Sequence, residues 1–115
     1  MNNNPENLNP READIIEYLQ EYCDGIGHAI SNDSLAIKFS VDKRTMRDLI
    51  AHLITDHHVP LGSCSKNHSG IYYCVTDSDY ETAHKELISR IKKLSRRAKG
   101  LRIGYFSKEK QLTLI

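Results

Sequence analysis

Apolar positions recur three and four residues apart over most of this chain, the spacing of one face of an α-helix. Ile15, Ile16, Leu19 and Cys23 predict a helix over about residues 11–23. Acids crowd its first turn, where the helix dipole favours them, and Gly25 and Gly27 end it. His28-Ala29-Ile30 reads as a short extended piece. Ser31 is suited to cap a second helix over residues 32–39, with Leu35 and Phe39 facing inward. Ser40-Val41-Asp42 makes a tight turn, and Asp42 caps a third helix that runs to about Asp56. On it Met46, Leu49, Ile50 and Leu53 stand at i, i+3, i+4 and i+7, forming one apolar stripe.

Downstream the pattern turns extended. Val59-Pro60-Leu61-Gly62-Ser63-Cys64 and Ile71-Tyr72-Tyr73-Cys74-Val75 flank a Ser/Lys/Asn/Gly loop, which predicts a β-hairpin. Cys64 and Cys74, nearly symmetric about Ser69, are expected to face each other across it. Asp77, Ser78 or Asp79 then caps a helix from Tyr80 to about Lys99. Its residues Tyr80, His84, Leu87, Ile91, Leu94, Ala98 and Leu101 step alternately by four and three, a heptad period. The stripe either pairs with a second copy, with Tyr80, Leu87, Ile91, Leu94 and Leu101 as a homodimer seam, or packs on the helix over residues 11–23. Gly100 and Gly104 weaken any helix beyond residue 99, and residues 107–115 receive no element.

The fold class this order implies is mainly α (α+β). It comprises a disordered, Asn-rich arm over residues 1–10, a domain of three helices and a hairpin over 11–77, a long basic C-terminal helix within 78–106, and a tail. Length agrees, since 115 residues suit one compact domain with tails. Charged residues at 27% and hydrophobic ones at 39% are ordinary for a soluble protein. No apolar run approaches the ~20 residues that span a bilayer, and the start lacks the layout of a signal peptide. Three cysteines, an odd number, fit a reducing compartment, so a cytoplasmic protein with no membrane partner is expected.

Charge changes the picture more than composition does. The net charge is only +1, yet residues 1–40 hold seven acids against two bases. Residues 85–110 hold ten bases against two acids. Such segregation creates a local positive field suited to a polyanion.

The third helix offers a place for one. With Met46 at zero and 100° per residue, Leu49, Ile50 and Leu53 fall within about 60° of it. Arg44, Asp48 and Ala51 lie opposite, with Arg47 at the edge of that outer face. Lys43, Arg44 and Arg47 are thus the set able to enter a major groove, where Arg pairs bidentately with guanine. The run Leu35-Ala36-Ile37-Lys38-Phe39-Ser40-Val41-Asp42-Lys43-Arg44-Thr45-Met46-Arg47-Asp48-Leu49-Ile50 resembles the helix-turn-helix of small winged-helix DNA-binding proteins of phage and mobile-element type. Val59-Pro60-Leu61 and Gly70-Ile71-Tyr72-Tyr73 are similar to the strands of that family's wing. The resemblance covers roughly residues 12–100. It implies a winged helix-turn-helix within residues 31–55, with Lys43, Arg44, Thr45 and Arg47 on the recognition helix. It also implies Lys66, Asn67 and His68 at a wing tip touching phosphate or the minor groove. Lys92, Lys93, Arg96 and Arg97 on the basic helix complete the expected DNA contacts. Asp48 departs from the pattern, because it repels phosphate unless it pairs with Arg44 or accepts from a cytosine amine.

Six His and three Cys raise the question of a metal. Structural zinc favours close pairs such as C-x2-4-C, none of which occurs, so no metal and no cofactor is expected. His57 and His58 are read as complementing the dipole at a helix end. A sensor set drawn from His57, His58, Cys64 or His68 is the alternative. No nucleophile elbow, phosphate-binding glycine loop or zincin motif is present, so the chain is expected not to be an enzyme and no small-molecule substrate is evident. The expected function is double-stranded DNA binding as a phage or mobile-element regulator or replication accessory. The alternative is a protein-interaction module that uses the heptad helix without DNA.

Overall fold

A computed structural model describes residues 8–64 and 70–114, with side chains described as far as Ser107. It is mainly helical with one small antiparallel sheet. Helix α1 spans Pro10–Tyr22, α2 Asn32–Lys38, α3 Lys43–His57 and α4 Asp77–Leu114; strands β1 and β2 are Leu61–Cys64 and Gly70–Tyr73. The chain divides into two compact units, Met1–His84 and Lys85–Ile115. Among the described residues no helix is long and apolar enough to cross a membrane.

Local chemistry explains where the helices begin. Asn9 caps α1 by accepting from the Glu12 N–H (2.8 Å), and the Glu12 carboxylate accepts from the Asn9 N–H (3.1 Å). With Pro10 at the first helical position this is a capping box, and it starts the helix inside the stretch expected to be a disordered arm. Ser31 caps α2 through the Ser34 N–H, and Asp42 caps α3 through the Thr45 N–H. The hydrogen bonds hold the Asp42 carboxyl below its ordinary range, the Thr45 N–H contributing most.

Between α2 and α3 the chain turns through Ser40, which is left-handed at φ 56°. The Ser40 N–H reaches the Ile37 carbonyl and the Val41 N–H the Ala36 carbonyl, so the freed carbonyls of α2 are satisfied in a Schellman motif. The buried centre draws Ile15, Leu19 and Cys23 from α1, Leu35 and Ala36 from α2, and Met46, Ile50 and Leu53 from α3. Leu61 and Ile71 of the hairpin close it, with Val59 from the segment just before β1. Each fully buried aliphatic chain contributes roughly 1.5–3 kcal/mol to the packing.

The hairpin's register differs from the sequence expectation. Leu61 pairs with Tyr73, Gly62 with Tyr72, Ser63 with Ile71 and Cys64 with Gly70. Cys74 lies beyond the ladder, its N–H bonded to the Pro60 carbonyl, so the two cysteines do not face each other. A methyl on Gly62 would overlap the fully buried Tyr72 ring, which is why this strand position is glycine. The piece expected to be extended at His28-Ala29-Ile30 is a 3-10 turn over Ile26–His28, followed by one bridging residue. Ile30 exchanges both backbone hydrogen bonds with Ile71 (2.9 and 2.6 Å), flanking β2 on its free edge. Gly70, at φ 143°, lets β2 approach the Ile30 backbone closely.

Helix α4 is capped by Thr76, not by Asp77, Ser78 or Asp79. The Thr76 hydroxyl accepts from the Asp79 N–H, and Asp79 accepts from the Thr76 and Val75 N–H groups and from that of Ile26. Its 38 residues run through Gly100, Gly104 and the stretch given no element, a length of about 57 Å at 1.5 Å per residue. Each glycine costs about 1 kcal/mol relative to alanine, which Leu, Arg, Lys and Ala neighbours of high helix propensity offset.

Candidate nucleic-acid interface

The N-terminal half of α3 is fixed on three sides. Its inner face buries Met46, Ile50 and Leu53, with Leu49 half-buried beside them. Its first turn is capped by Asp42, and the Asn32 side-chain amide donates to the Lys43 carbonyl (3.0 Å), joining the starts of α2 and α3. Lys43 leans on Asp33 at 3.3 Å, both side chains being more than half exposed. This pair adds little stability, because exposed ion pairs are screened by water.

The residues expected to enter a groove stand on the opposite face. Lys43, Arg44, Arg47, Asp48 and Ala51 are exposed, and Thr45 is half-buried with its N–H committed to Asp42. Among the described residues no ion pair holds Arg44 or Arg47, and Asp48 forms none with Arg44. The face therefore presents two free guanidinium groups and one uncompensated carboxylate. Lys66, Asn67 and His68 lie outside the described residues.

In the second unit Lys92, Lys93, Arg96 and Arg97 are exposed on α4, as are Arg90, Lys99 and Arg102. Arg90 meets Glu86 one turn earlier at 3.9 Å. The heptad positions Leu87, Ile91, Leu94 and Leu101 are 46, 58, 58 and 75% exposed, and among the described residues no neighbour within the unit covers them. Tyr80, 56% exposed, stacks on His84 at 5.4 Å. Because α4 continues past Leu101, the four-three stepping extends to Tyr105, itself 67% exposed.

Comparison with family models, with curated proteins and with solved structures finds no match to this chain.

One grouping was not anticipated. Glu12 of α1 is buried at 4% exposure, its Oε2 lying 3.3 Å from His52 Nε2 and its Oε1 3.9 Å from His57 Nε2. The two rings meet edge to face, centroids 5.0 Å apart, and His52 Nδ1 lies 2.5 Å from Asp56 Oδ2. Spacing rules for close Cys and His pairs do not find a set divided between two helices. The available signals were Asn9-x-x-Glu12 as a helix start and two histidines on the inward edge of α3. The three cysteines are free. Burial, and then a neighbouring carboxylate, pushes the Cys23 and Cys74 thiols up, which favours the thiol over the thiolate.

Proposed function

We propose that the chain binds double-stranded DNA, with α2 and α3 acting as the helix-turn-helix of a winged helix and α3 lying in the major groove. The observation that carries this reading is the outward face of α3. Arg44 and Arg47 are exposed and unpaired among the described residues, on a helix whose opposite face is locked into the core. The element order supports it: a bridging residue between α1 and α2 joins the free edge of the hairpin that follows α3, as a winged helix requires.

In the groove Arg44 and Arg47 read guanine edges, each bidentate pair giving about 1–3 kcal/mol of discrimination. Lys43 and the basic face of α4 contact phosphate, which makes affinity fall with added salt. Asp48 is the specificity element of this face, favouring a cytosine amine and disfavouring a misplaced phosphate. The reading is of a cytoplasmic, non-enzymatic regulator or replication accessory of a phage or mobile element.

Mobility-shift titration on random-sequence duplex at low salt tests it. Retardation at micromolar protein that weakens as salt rises is expected, and no retardation would count decisively against it.

A second reading rests on the exposed heptad stripe of α4. Leu87, Ile91, Leu94 and Leu101 pair with a second copy or with another protein's helix. For a homodimer Leu87→Asp with Ile91→Asp leaves a monomer in sedimentation. A chain that binds no DNA but loses a protein partner on these changes would be an interaction module instead.

A further inference from the structure

Glu12, His52 and His57 take no part in the nucleic-acid reading, and their arrangement has its own chemistry. We propose that they bind one divalent ion of the zinc class, through one Glu12 carboxylate oxygen and the Nε2 atoms of both histidines. The site is independent of whether the chain binds DNA.

The distances carry the proposal. The three donor atoms lie within 4.8 Å of one another. Around a tetrahedral ion with bonds of about 2.0–2.2 Å, donors stand roughly 3.3–3.5 Å apart. Glu12 Oε2 is already 3.3 Å from His52 Nε2, and the other oxygen of the same carboxylate, Oε1, is 3.9 Å from His57 Nε2. Small side-chain rotations close the set, leaving a fourth position for water. His52, whose side chain is 43% exposed, opens a path for the ion.

The surroundings fit an ion as well. A carboxylate buried to the extent of Glu12 is costly unless opposite charge faces it. Glu12 Oε1 accepts the Asn9 N–H and lies beside the His57 ring, and Oε2 faces the His52 ring. His52 Nδ1 is engaged by Asp56, which fixes the ring and presents Nε2 as the donating atom. A carboxylate behind a histidine in this way is the usual support of a metal-bound imidazole and raises its basicity. Two nitrogens and one oxygen suit zinc, cobalt or nickel better than calcium or magnesium, which take oxygen sets.

The test is titration of the full-length chain with zinc against a chromophoric chelator, and with cobalt followed by visible absorption. One equivalent is expected to bind. The cobalt form should show four-coordinate d–d bands and no thiolate charge-transfer band. His52→Ala and His57→Ala should each lose tight binding, and the isosteric Glu12→Gln should do the same, with far-UV circular dichroism checking each fold. Asp56→Asn should weaken binding roughly 10–100-fold, the effect of removing a ligand's supporting partner. The proposal is overturned by absence of stoichiometric binding to wild-type protein. It is equally overturned by binding that survives both histidine changes or Glu12→Gln, or by a thiolate band, which would move the ion to a cysteine.

Discussion

Asp79 joins the start of α4 to the loop after α1, and its removal gives the sharpest stability prediction. Asp79 is 8% exposed, and its carboxylate accepts three backbone N–H groups: Val75 at 3.0 Å, Thr76 at 3.1 Å and Ile26 at 3.4 Å. Hydrogen bonds to a charged partner are worth about 1.5–3 kcal/mol each, net of exchange with water. Val75 and Thr76 are exposed, so in Asp79→Ala their N–H groups turn to water and part of the loss is recovered. The Ile26 N–H is less accessible, and half of a capping box disappears. The net loss is about 2–4 kcal/mol, which lowers Tm by roughly 10–25 °C in a domain of this size. Asp79→Asn, keeping one acceptor oxygen, should lose about half as much.

The pH dependence has a definite sign. The Val75 and Thr76 N–H groups, then that of Ile26, hold the Asp79 carboxyl below its ordinary range. A carboxyl depressed on folding gives stability that is complete above its unfolded value, about 3.9. That stability is lost as pH falls through the lower folded value. Wild-type protein should therefore lose stability in acid more steeply than Asp79→Asn. Thermal unfolding followed by circular dichroism from neutral pH into acid measures both quantities. An Asp79→Ala Tm within about 2–3 °C of wild type, or parallel acid limbs, would refute the reasoning.

Ser40→Gly relieves a left-handed residue between α2 and α3 and should raise stability by about 0.5–1 kcal/mol in urea titration. Gly62→Ala drives a methyl into the buried Tyr72 ring and should cost at least about 1–3 kcal/mol, read as a lower urea midpoint. Gly100→Ala and Gly104→Ala meet no atom within 4 Å, and each should increase helicity and stabilise α4 by about 1 kcal/mol.

Features set by neighbouring residues were readable in the chain. Ser31 and Asp42 announce their helices through side-chain oxygens three positions before an N–H donor, and both caps are present. The stripe of Met46, Ile50 and Leu53 was equally plain, since periodicity and burial express the same geometry. Features that depend on distant contacts were not readable. The hairpin register placed Cys64 opposite Gly70 because Tyr72 must lie over Gly62, a requirement of shape that symmetry about Ser69 does not express. The cap of α4 is different, because the capping-box spacing Thr76-x-x-Asp79 is local and was there to be read; only the Ile26 N–H that also reaches Asp79 is a distant contact. Glu12 looked like one of several acids favouring a helix start, yet it is the member buried against α3. The glycines of α4 lower helix propensity without forbidding the helix, and local counting overstated their effect.

The central claim is that α3 presents Arg44 and Arg47 to base edges. Selection of bound duplexes from a random pool, followed by affinities of wild type and Arg44→Ala/Arg47→Ala for selected and scrambled DNA, tests it most directly. The double variant is predicted to lose roughly 10-fold or more on selected DNA and much less on scrambled DNA, so that preference collapses. An enriched sequence bound equally well by wild type and variant would contradict it.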